Sequence, residues 1–187
     1  MKTNTASYYL VVDLEATCCD KDSILKHEME IIEIGAVMLN RETLEIDSEY
    51  QQFIRPVRHQ QLTAFCTELT TISQNDVDKA ANFPDVIAQF KEWIYSFPNY
   101  VFCSWGDYDK NQIQLDCQFH NIPYPISSAH RNIKKEFSEY LGVSKRFGMA
   151  QALQHLGIEL KGTHHRGIDD ARNIAAILRH MKTKKPN

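Results

Sequence analysis

Two acidic residues near the start of the chain have the spacing of a metal-binding pair. The segment Asp13-Leu14-Glu15 ends the first predicted strand, whose apolar run 8–14 is typical of a strand buried on both faces. Because side chains alternate along a strand, both carboxylates point to one side while Leu14 points into the core. Neighbouring carboxylates repel each other unless a cation neutralises them, and oxygen ligands suit Mg²⁺ or Mn²⁺. A solvated pair of acids at a strand end is the alternative.

Two later segments contain the other candidates. Asp109 follows the short apolar run 100–103 at the start of a predicted helix, where acids often act as N-caps, a role that also suits Asp107. Asp170 lies on a predicted helix, and His165 precedes it by five residues. Such a carboxylate could hold a metal ion while the imidazole, whose pKa suits a base near neutral pH, reaches an attacking water. A surface histidine beside a helix-capping aspartate is the alternative.

The apolar pattern predicts an α/β domain with a mixed central β-sheet flanked by α-helices. The predicted strands are residues 8–14, 31–40, 44–55 and 100–103, with an antiparallel meander around the polar segment 41–43. The predicted helices are residues 83–97, 108–120, 149–156 and 168–181. We expect one domain over residues 7–181, between an N-terminal tail 1–6 and a basic C-terminal tail 182–187.

Composition excludes several classes of protein. The chain has 187 residues, 43% hydrophobic and 24% charged, as in folded globular domains. No apolar run approaches the ~20 residues of a membrane-spanning helix, so we expect no membrane contact and a cytoplasmic location. Five cysteines without a C-x-x-C pair argue against a disulfide framework and a structural zinc site.

Net charge does not decide whether the chain binds nucleic acid. The formal charge is −3, but a cluster of metal-binding acids would hide a basic patch in the sum. Several cations could form such a patch or simply a solvated face; they are Lys134, Lys135, Lys145, Arg146, Lys182, Lys184 and Lys185.

The order of the candidate motifs resembles a known family. VDLEAT with Asp13 and Glu15, SWGDYD with Asp109, and HRGIDDA with His165 and Asp170 resemble the DEDDh exonucleases of the DnaQ-like superfamily. The segments FIRPV (53–57) and LTAFCTELTTI (62–72) resemble the branch that contains the histone-mRNA 3′-exonuclease and its bacterial relatives. The resemblance covers about residues 8–180.

This resemblance implies a fold and a reaction. The fold would be RNase H-like, and the activity would be metal-dependent 3′→5′ exonuclease hydrolysis of single-stranded 3′ ends, with RNA favoured over DNA. The product would be nucleoside 5′-monophosphates. Two Mg²⁺ ions, for which Mn²⁺ can substitute, would provide the chemistry.

The family motif also assigns roles to individual residues. Metal ions would be held by Asp13, Glu15, Asp109 and Asp170. His165, rather than His164, would be the general base because the family places its histidine five residues before the last acid, and Glu15 would share in catalysis. Substrate contacts are assigned to Ala16, Phe65, Trp105 and His165, with base stacking expected from the two aromatic rings.

Two alternative functions remain open from the sequence. A single-stranded DNA exonuclease of the repair or proofreading type would use the same residues. A catalytically inactive nucleic-acid-binding module is a different class, which the presence of all the catalytic-type residues disfavours. Core packing is an equally good reading of Trp105, and protein partners are not assigned.

Overall fold

The computed structural model describes residues 7–21 and 23–184, so residues 1–6 and 185–187 of the predicted tails lie outside it. The strands are Tyr8–Ala16 (β1), Ile31–Asn40 (β2), Ile46–Phe53 (β3), Tyr100–Ser104 (β4) and His130–Asn132 (β5). The helices are Ala64–Thr70 (α1), Gln74–Asp78 (α2), Phe83–Tyr95 (α3), Tyr108–Phe119 (α4), Ile133–Tyr140 (α5), Met149–Leu156 (α6) and Gly167–Thr183 (α7).

The strands form a mixed sheet in the order β3-β2-β1-β4-β5. The β1–β2 and β2–β3 pairs are antiparallel, whereas the β1–β4 and β4–β5 pairs are parallel. Strand β1 lies at the centre with helices over both faces, which explains its nearly continuous apolar sequence. The predicted α/β class with a mixed sheet and an antiparallel meander is confirmed.

Alternation along β1 separates two apolar cores. Leu10 and Val12 belong to a cluster that includes residues of α3 and α4, whereas Tyr9 and Val11 belong to a cluster with α5, α6 and α7. Continuing the alternation, Asp13 lies on the face of Tyr9 and Val11. The acids at the end of β1 therefore face α7.

Two glycines let α7 approach the sheet closely. A Cβ built on Gly35 in β2 would lie 2.0 Å from the carbonyl carbon of Gly167 and 2.0 Å from the nitrogen of Ile168. A Cβ on Gly167 would lie 2.9 Å from the carbonyl oxygen of Asp13. The first turn of α7 consequently packs directly against the end of β1.

The element boundaries differ from the sequence pattern in a few places. β1 continues two residues beyond the predicted end, β3 is shorter than the predicted strand 44–55, and α7 runs to Thr183, so residues 182–183 of the predicted tail are helical. Helices α1, α2 and α5 and strand β5 were not predicted. Of the helices within residues 7–21 and 23–184, none is long and apolar enough to cross a bilayer. The cytoplasmic location stays a prediction.

Candidate active site

Three of the predicted metal ligands meet where β1 ends and α7 begins. Glu15 and Asp170 are 8% and 4% exposed, and Asp13 is partly exposed. One carboxylate oxygen from each of Asp13, Glu15 and Asp170 lies within 4.8 Å of the other two. The alternation of β1 and the close packing of α7 on β2 produce this convergence.

Asp109 is held against the same strand end. It lies in the first turn of α4 and is 4% exposed. Its Oδ1 accepts a hydrogen bond from the backbone N–H of Leu14 over 3.1 Å. Burial and then the charge of Asp109 raise the pKa of Asp13. All four predicted metal ligands therefore surround the end of β1.

Two neighbouring acids have other partners. Asp107 makes no side-chain hydrogen bond to α4, and its Oδ2 accepts from Asn132 Nδ2 over 2.9 Å. Asp169 accepts from the backbone N–H of Thr163 over 2.8 Å and from Arg172 Nη1 over 2.9 Å. The structure thus gives both acids roles in holding loops.

Burial raises the pKa values of all four acids, and repulsion by neighbouring acids adds to this effect at Asp13 and Glu15. Burial and the charges of Asp170 and Glu33 raise the pKa of Glu15 from 4.5 to about 8. Burial raises the pKa of Asp109 to about 6 and also raises that of Asp170. Burial and the neighbouring acids hold the pKa of Asp13 well above its ordinary 3.8. Oxygen donors that repel one another in this way fit a divalent cation, which would remove the repulsion.

Both histidines of the HHRG segment lie beside Asp170. His164 Nδ1 is 2.9 Å from Asp170 Oδ2, and the same oxygen accepts the backbone N–H of His165 over 3.0 Å. The two imidazole rings stack with their centroids 3.9 Å apart. His165 has a φ of 65°, a left-handed conformation that is uncommon outside glycine and often marks a functional constraint. Burial and the charge of His164 lower the pKa of His165.

A buried acid anchors the loop that carries these histidines. Glu33 in β2 is fully buried, and its Oε2 accepts from Arg166 Nε over 3.0 Å and from the backbone N–H of Gly167 over 3.1 Å. Gln51 Nε2 donates to the other carboxylate oxygen over 2.6 Å. These bonds fix the backbone between His165 and Asp170. Sequence reasoning missed Glu33 because a single acid in an apolar strand shows no spacing signal.

Asp109 has a comparable support on β4 and β5. The buried Ser104 hydroxyl is 2.9 Å from His130 Nε2, and His130 Nδ1 is 3.5 Å from Asp107 Oδ1. A hydrogen bond from Ser104 lowers the pKa of Asp109, against the larger effect of burial. The series of contacts Asp107–His130–Ser104 therefore extends to Asp109, a predicted metal ligand.

The acids and histidines line one cleft of about 380 Å³. Of the predicted substrate-contacting residues, Ala16, Trp105 and His165 also line it, whereas Phe65 lies outside the lining residues and is 37% exposed. The indole N–H of Trp105 donates to the carbonyl of Phe147 over 3.1 Å, and the ring packs 5.8 Å from that of Phe137. Trp105 thus both lines the cleft and packs against the core.

Tyr108 is an aromatic residue of the cleft that sequence reasoning missed. It begins α4 directly before Asp109, lines the cleft and is 45% exposed. Its position next to a predicted metal ligand was the available signal. Leu14, Met29, Leu69 and Met149 add apolar side chains to the lining.

Comparisons with known proteins agree with this geometry. A family model described as an exonuclease family, RNase T, matches residues 10–178. The chain belongs to this exonuclease family. ERI1 exoribonuclease 3 of Mus musculus is 38% identical over 183 residues, which cover 93% of this chain and 53% of that protein. The 3′-5′ exonuclease Snipper of Drosophila melanogaster is 32% identical, with 94% of this chain and 69% of that protein covered.

Solved structures place the family more narrowly. The nuclease domain of 3′hExo, a DEDDh family member bound to rAMP, has a TM-score of 0.84 and 32% identity, covering 95% of this chain and 92% of that chain. A 3′-exonuclease that recognises the histone mRNA stem-loop also has a TM-score of 0.84, at 30% identity, covering 99% of this chain and 68% of that chain. The predicted DEDDh family, its branch and the RNase H-like fold are confirmed. The DEDDh family depends on divalent metal ions, as the acid cluster indicates.

The chain spans about half the length of mammalian relatives such as ERI1 exoribonuclease 3, with 53% of that protein covered. Predictions about whole-protein substrates and partners therefore remain proposals for this chain.

Proposed function

We propose that this chain is a 3′→5′ exoribonuclease that removes nucleotides from single-stranded 3′ ends and releases nucleoside 5′-monophosphates. The observation that carries the proposal is the convergence of Asp13, Glu15, Asp109 and Asp170 in one cleft with His165 on its wall. The RNA preference is supported by the names of relatives, which include exoribonucleases and a structure with bound rAMP.

The four acids would hold two Mg²⁺ ions, with Mn²⁺ able to substitute. Bound cations of this kind neutralise the acids and the phosphodiester and make a water molecule more acidic. The fit rests on the donor set, which consists of carboxylates whose pKa values are raised by burial and, at Asp13 and Glu15, also by the neighbouring acids. A bound cation stabilises the charged form of such carboxylates more than that of isolated, solvated ones.

His165 would accept the proton of the attacking water. Burial keeps the pKa of this imidazole below its usual value, so that the ring is neutral and able to accept a proton near neutral pH. The hydrogen bond from its backbone N–H to Asp170 ties the position of His165 to that of a metal ligand. Glu15 would serve as a ligand and orient the water.

The terminal base would stack on the aromatic side of the cleft. Tyr108 is the more exposed ring beside the acids, and Trp105 forms the wall behind it. Ala16 would let the terminal nucleotide approach β1 closely, and Phe65 would contact the base from the α1 side. Stacking of this kind is worth about 1–3 kcal/mol per base and tolerates any sequence.

Digestion of 5′-labelled oligonucleotides tests the proposal. Matched single-stranded and double-stranded RNA and DNA would be incubated with the protein and Mg²⁺, and the products resolved as a ladder. We expect stepwise shortening of single-stranded RNA from the 3′ end, released as monophosphates, and no products in EDTA.

Three results would contradict the proposal in different ways. Faster digestion of DNA than of RNA would favour a DNA exonuclease of the repair or proofreading type. Binding of the labelled end without shortening would favour an inactive binding module. Internal cleavage products would exclude an exonuclease.

A further inference from the structure

A second groove lies next to the catalytic cleft. It has a volume of about 270 Å³ and is lined by Lys145, Phe147, Gln151, Gln154 and His155, on the loop before α6 and on α6 itself. One cation, one aromatic ring, an imidazole and two amides make up this lining, and none of these residues carries a carboxylate. This composition contrasts with the acid-rich cleft and with a chain of net charge −3.

The groove is joined to the cleft by shared structure. Gly148 and Met149, which follow Phe147, line the cleft. The carbonyl of Phe147 accepts the indole N–H of Trp105 over 3.1 Å, so a wall of the groove is bonded to a wall of the cleft. Both rings also pack against Phe137, at centroid distances of 5.5 and 5.8 Å.

The loop that carries the cations is held at both ends. Ser138 Oγ in α5 donates to the carbonyl of Lys145 over 2.7 Å, and the backbone N–H of Gly148 donates to Gln151 Oε1 over 3.0 Å. Lys145 Nζ lies 4.9 Å from the centre of the Phe147 ring. Within the described part of the chain, neither Lys145 nor Arg146 forms an ion pair with a carboxylate. Their charges are therefore available to an anionic partner.

We propose that this groove binds the substrate strand upstream of the nucleotide that is removed. The proposal rests on the proposed exonuclease function and adds a place for the rest of the strand. Lys145 and Arg146 would contact backbone phosphates, while Phe147 and His155 would offer faces for bases, the combination that binds single strands without reading sequence. An acidic segment of a protein is the other anionic occupant, and the test separates the two.

Charge reversal at Lys145, compared on long and short substrates, tests the groove. The variant is Lys145→Glu, and the control is Lys91→Glu, because Lys91 on α3 has the same arrangement, with Nζ 5.5 Å from the Tyr95 ring, on the opposite face of the sheet. We expect Lys145→Glu to lower kcat/KM on an RNA of about twelve nucleotides by ~10-fold and to leave a dinucleotide unaffected. Lys91→Glu should change neither, and thermal unfolding should show both variants folded.

Binding in EDTA, where no hydrolysis is expected, keeps the two proposals separate. The anisotropy of a labelled 12-nucleotide RNA should show weaker binding to Lys145→Glu, and in the milder Lys145→Ala the slope of log K against log salt should fall by about 0.7, as for one lost phosphate contact. Weakened binding in a protein that never hydrolyses RNA would overturn the proposed function and leave the groove standing. Unchanged binding and turnover in Lys145→Glu would overturn the groove and point to an acidic protein partner. Equal losses on the dinucleotide would also overturn it.

Discussion

Asp13 lies among the other acids of the cleft. Burial raises its pKa first, followed by the charges of Asp109, Glu15 and Asp170. Charging a carboxylate there costs free energy in the metal-free fold, and a bound divalent cation would offset that cost. The carboxylate of Asp13 therefore favours metal binding but lowers the stability of the metal-free protein.

Asp13→Asn should separate the two effects. We expect hydrolysis to fall by more than the ~10–100-fold typical of removing a group that only supports a metal ligand. The unfolding temperature in EDTA should stay the same or rise, because the neutral amide is not repelled by the neighbouring acids. Nuclease assays and circular dichroism measure the two quantities. Asp169→Asn is the control, since Asp169 bonds to Thr163 and Arg172, and retained activity in Asp13→Asn would disprove the metal role.

Replacing His164 and replacing His165 should change different kinetic quantities. His165→Ala should lower kcat at saturating metal by about 10²–10⁴-fold, the usual effect of losing a general base. His164→Ala should retain most of kcat but require more Mg²⁺, because His164 Nδ1 contacts Asp170 over 2.9 Å. Measuring kcat over a Mg²⁺ titration distinguishes them. The reverse pattern would make His164 the base.

At the site, the residue types and their spacing identify the acids and His165 but not the contacts that they make. The four acids and His165 were found because motif order and strand alternation carry that information. The contact of His164 with Asp170 was not predicted, because it depends on the left-handed backbone at His165. The exposure of Tyr108 depends on how α4 packs against β1, which no local pattern encodes.

Helix α7 brings Asp170 to the strand that carries the other acids, and its start is fixed by contacts with β2. The Glu33 carboxylate accepts hydrogen bonds from Arg166 and from the first backbone N–H of the helix. Gly35 has no side chain and therefore leaves room for the helix backbone. The position of Asp170 relative to the acids of β1 is therefore set by the contacts between β2 and α7, and not only by the loop before α7.

Arg166→Ala tests this junction. The change leaves Glu33, which is fully buried, without its cation, and we expect a loss of about 1–3 kcal/mol in the free energy of unfolding. kcat should fall as well, because the backbone of His165 loosens. Arg172→Ala is the matched control on the same helix; its partners Glu49 and Asp169 are more exposed, and such pairs contribute about 0–1 kcal/mol. Urea unfolding and nuclease assays would contradict the idea if both variants behaved alike.

The long elements followed from periodicity, whereas the short ones did not. β2 and α6 have the bounds that their apolar patterns predict. α1 and α2 are seven and five residues long and begin at caps formed by Thr63 and Ser73, so local hydrogen bonds rather than an apolar stripe define them. β5 has three residues and is defined by its parallel pairing with β4.

On the scale of the whole molecule, the acids of the active site collect at one end of the central strand, and the helices cover the two faces of the sheet. Central strand β1, the parallel strand β4 and helices α4 and α7 all end or begin at the cleft. Divalent cations bound at the cleft would stabilise the folded domain as well as serve the reaction, which would couple the stability of the domain to pH and to metal.

The metal-free protein should lose stability as pH rises. Folded Glu15 keeps its proton to about pH 8, whereas the unfolded chain releases it near 4.5. Between these values the folded state binds more protons, so the free energy of unfolding falls with increasing pH, and below that window both states are protonated. Asp109, with a pKa of about 6, acts in the same direction.

Mg²⁺ should reverse this loss, because it binds the deprotonated carboxylates of the folded state. We expect the unfolding temperature to gain little from Mg²⁺ at about pH 5 and several degrees at about pH 8, since 1 kcal/mol corresponds to about 2–4 °C in a domain of this size. Thermal unfolding with EDTA or Mg²⁺ across the window measures the effect. Glu15→Gln should flatten the pH dependence in EDTA and reduce the gain from Mg²⁺. An unchanged slope in this variant would mean that the crowded carboxylates do not control the stability of the metal-free domain.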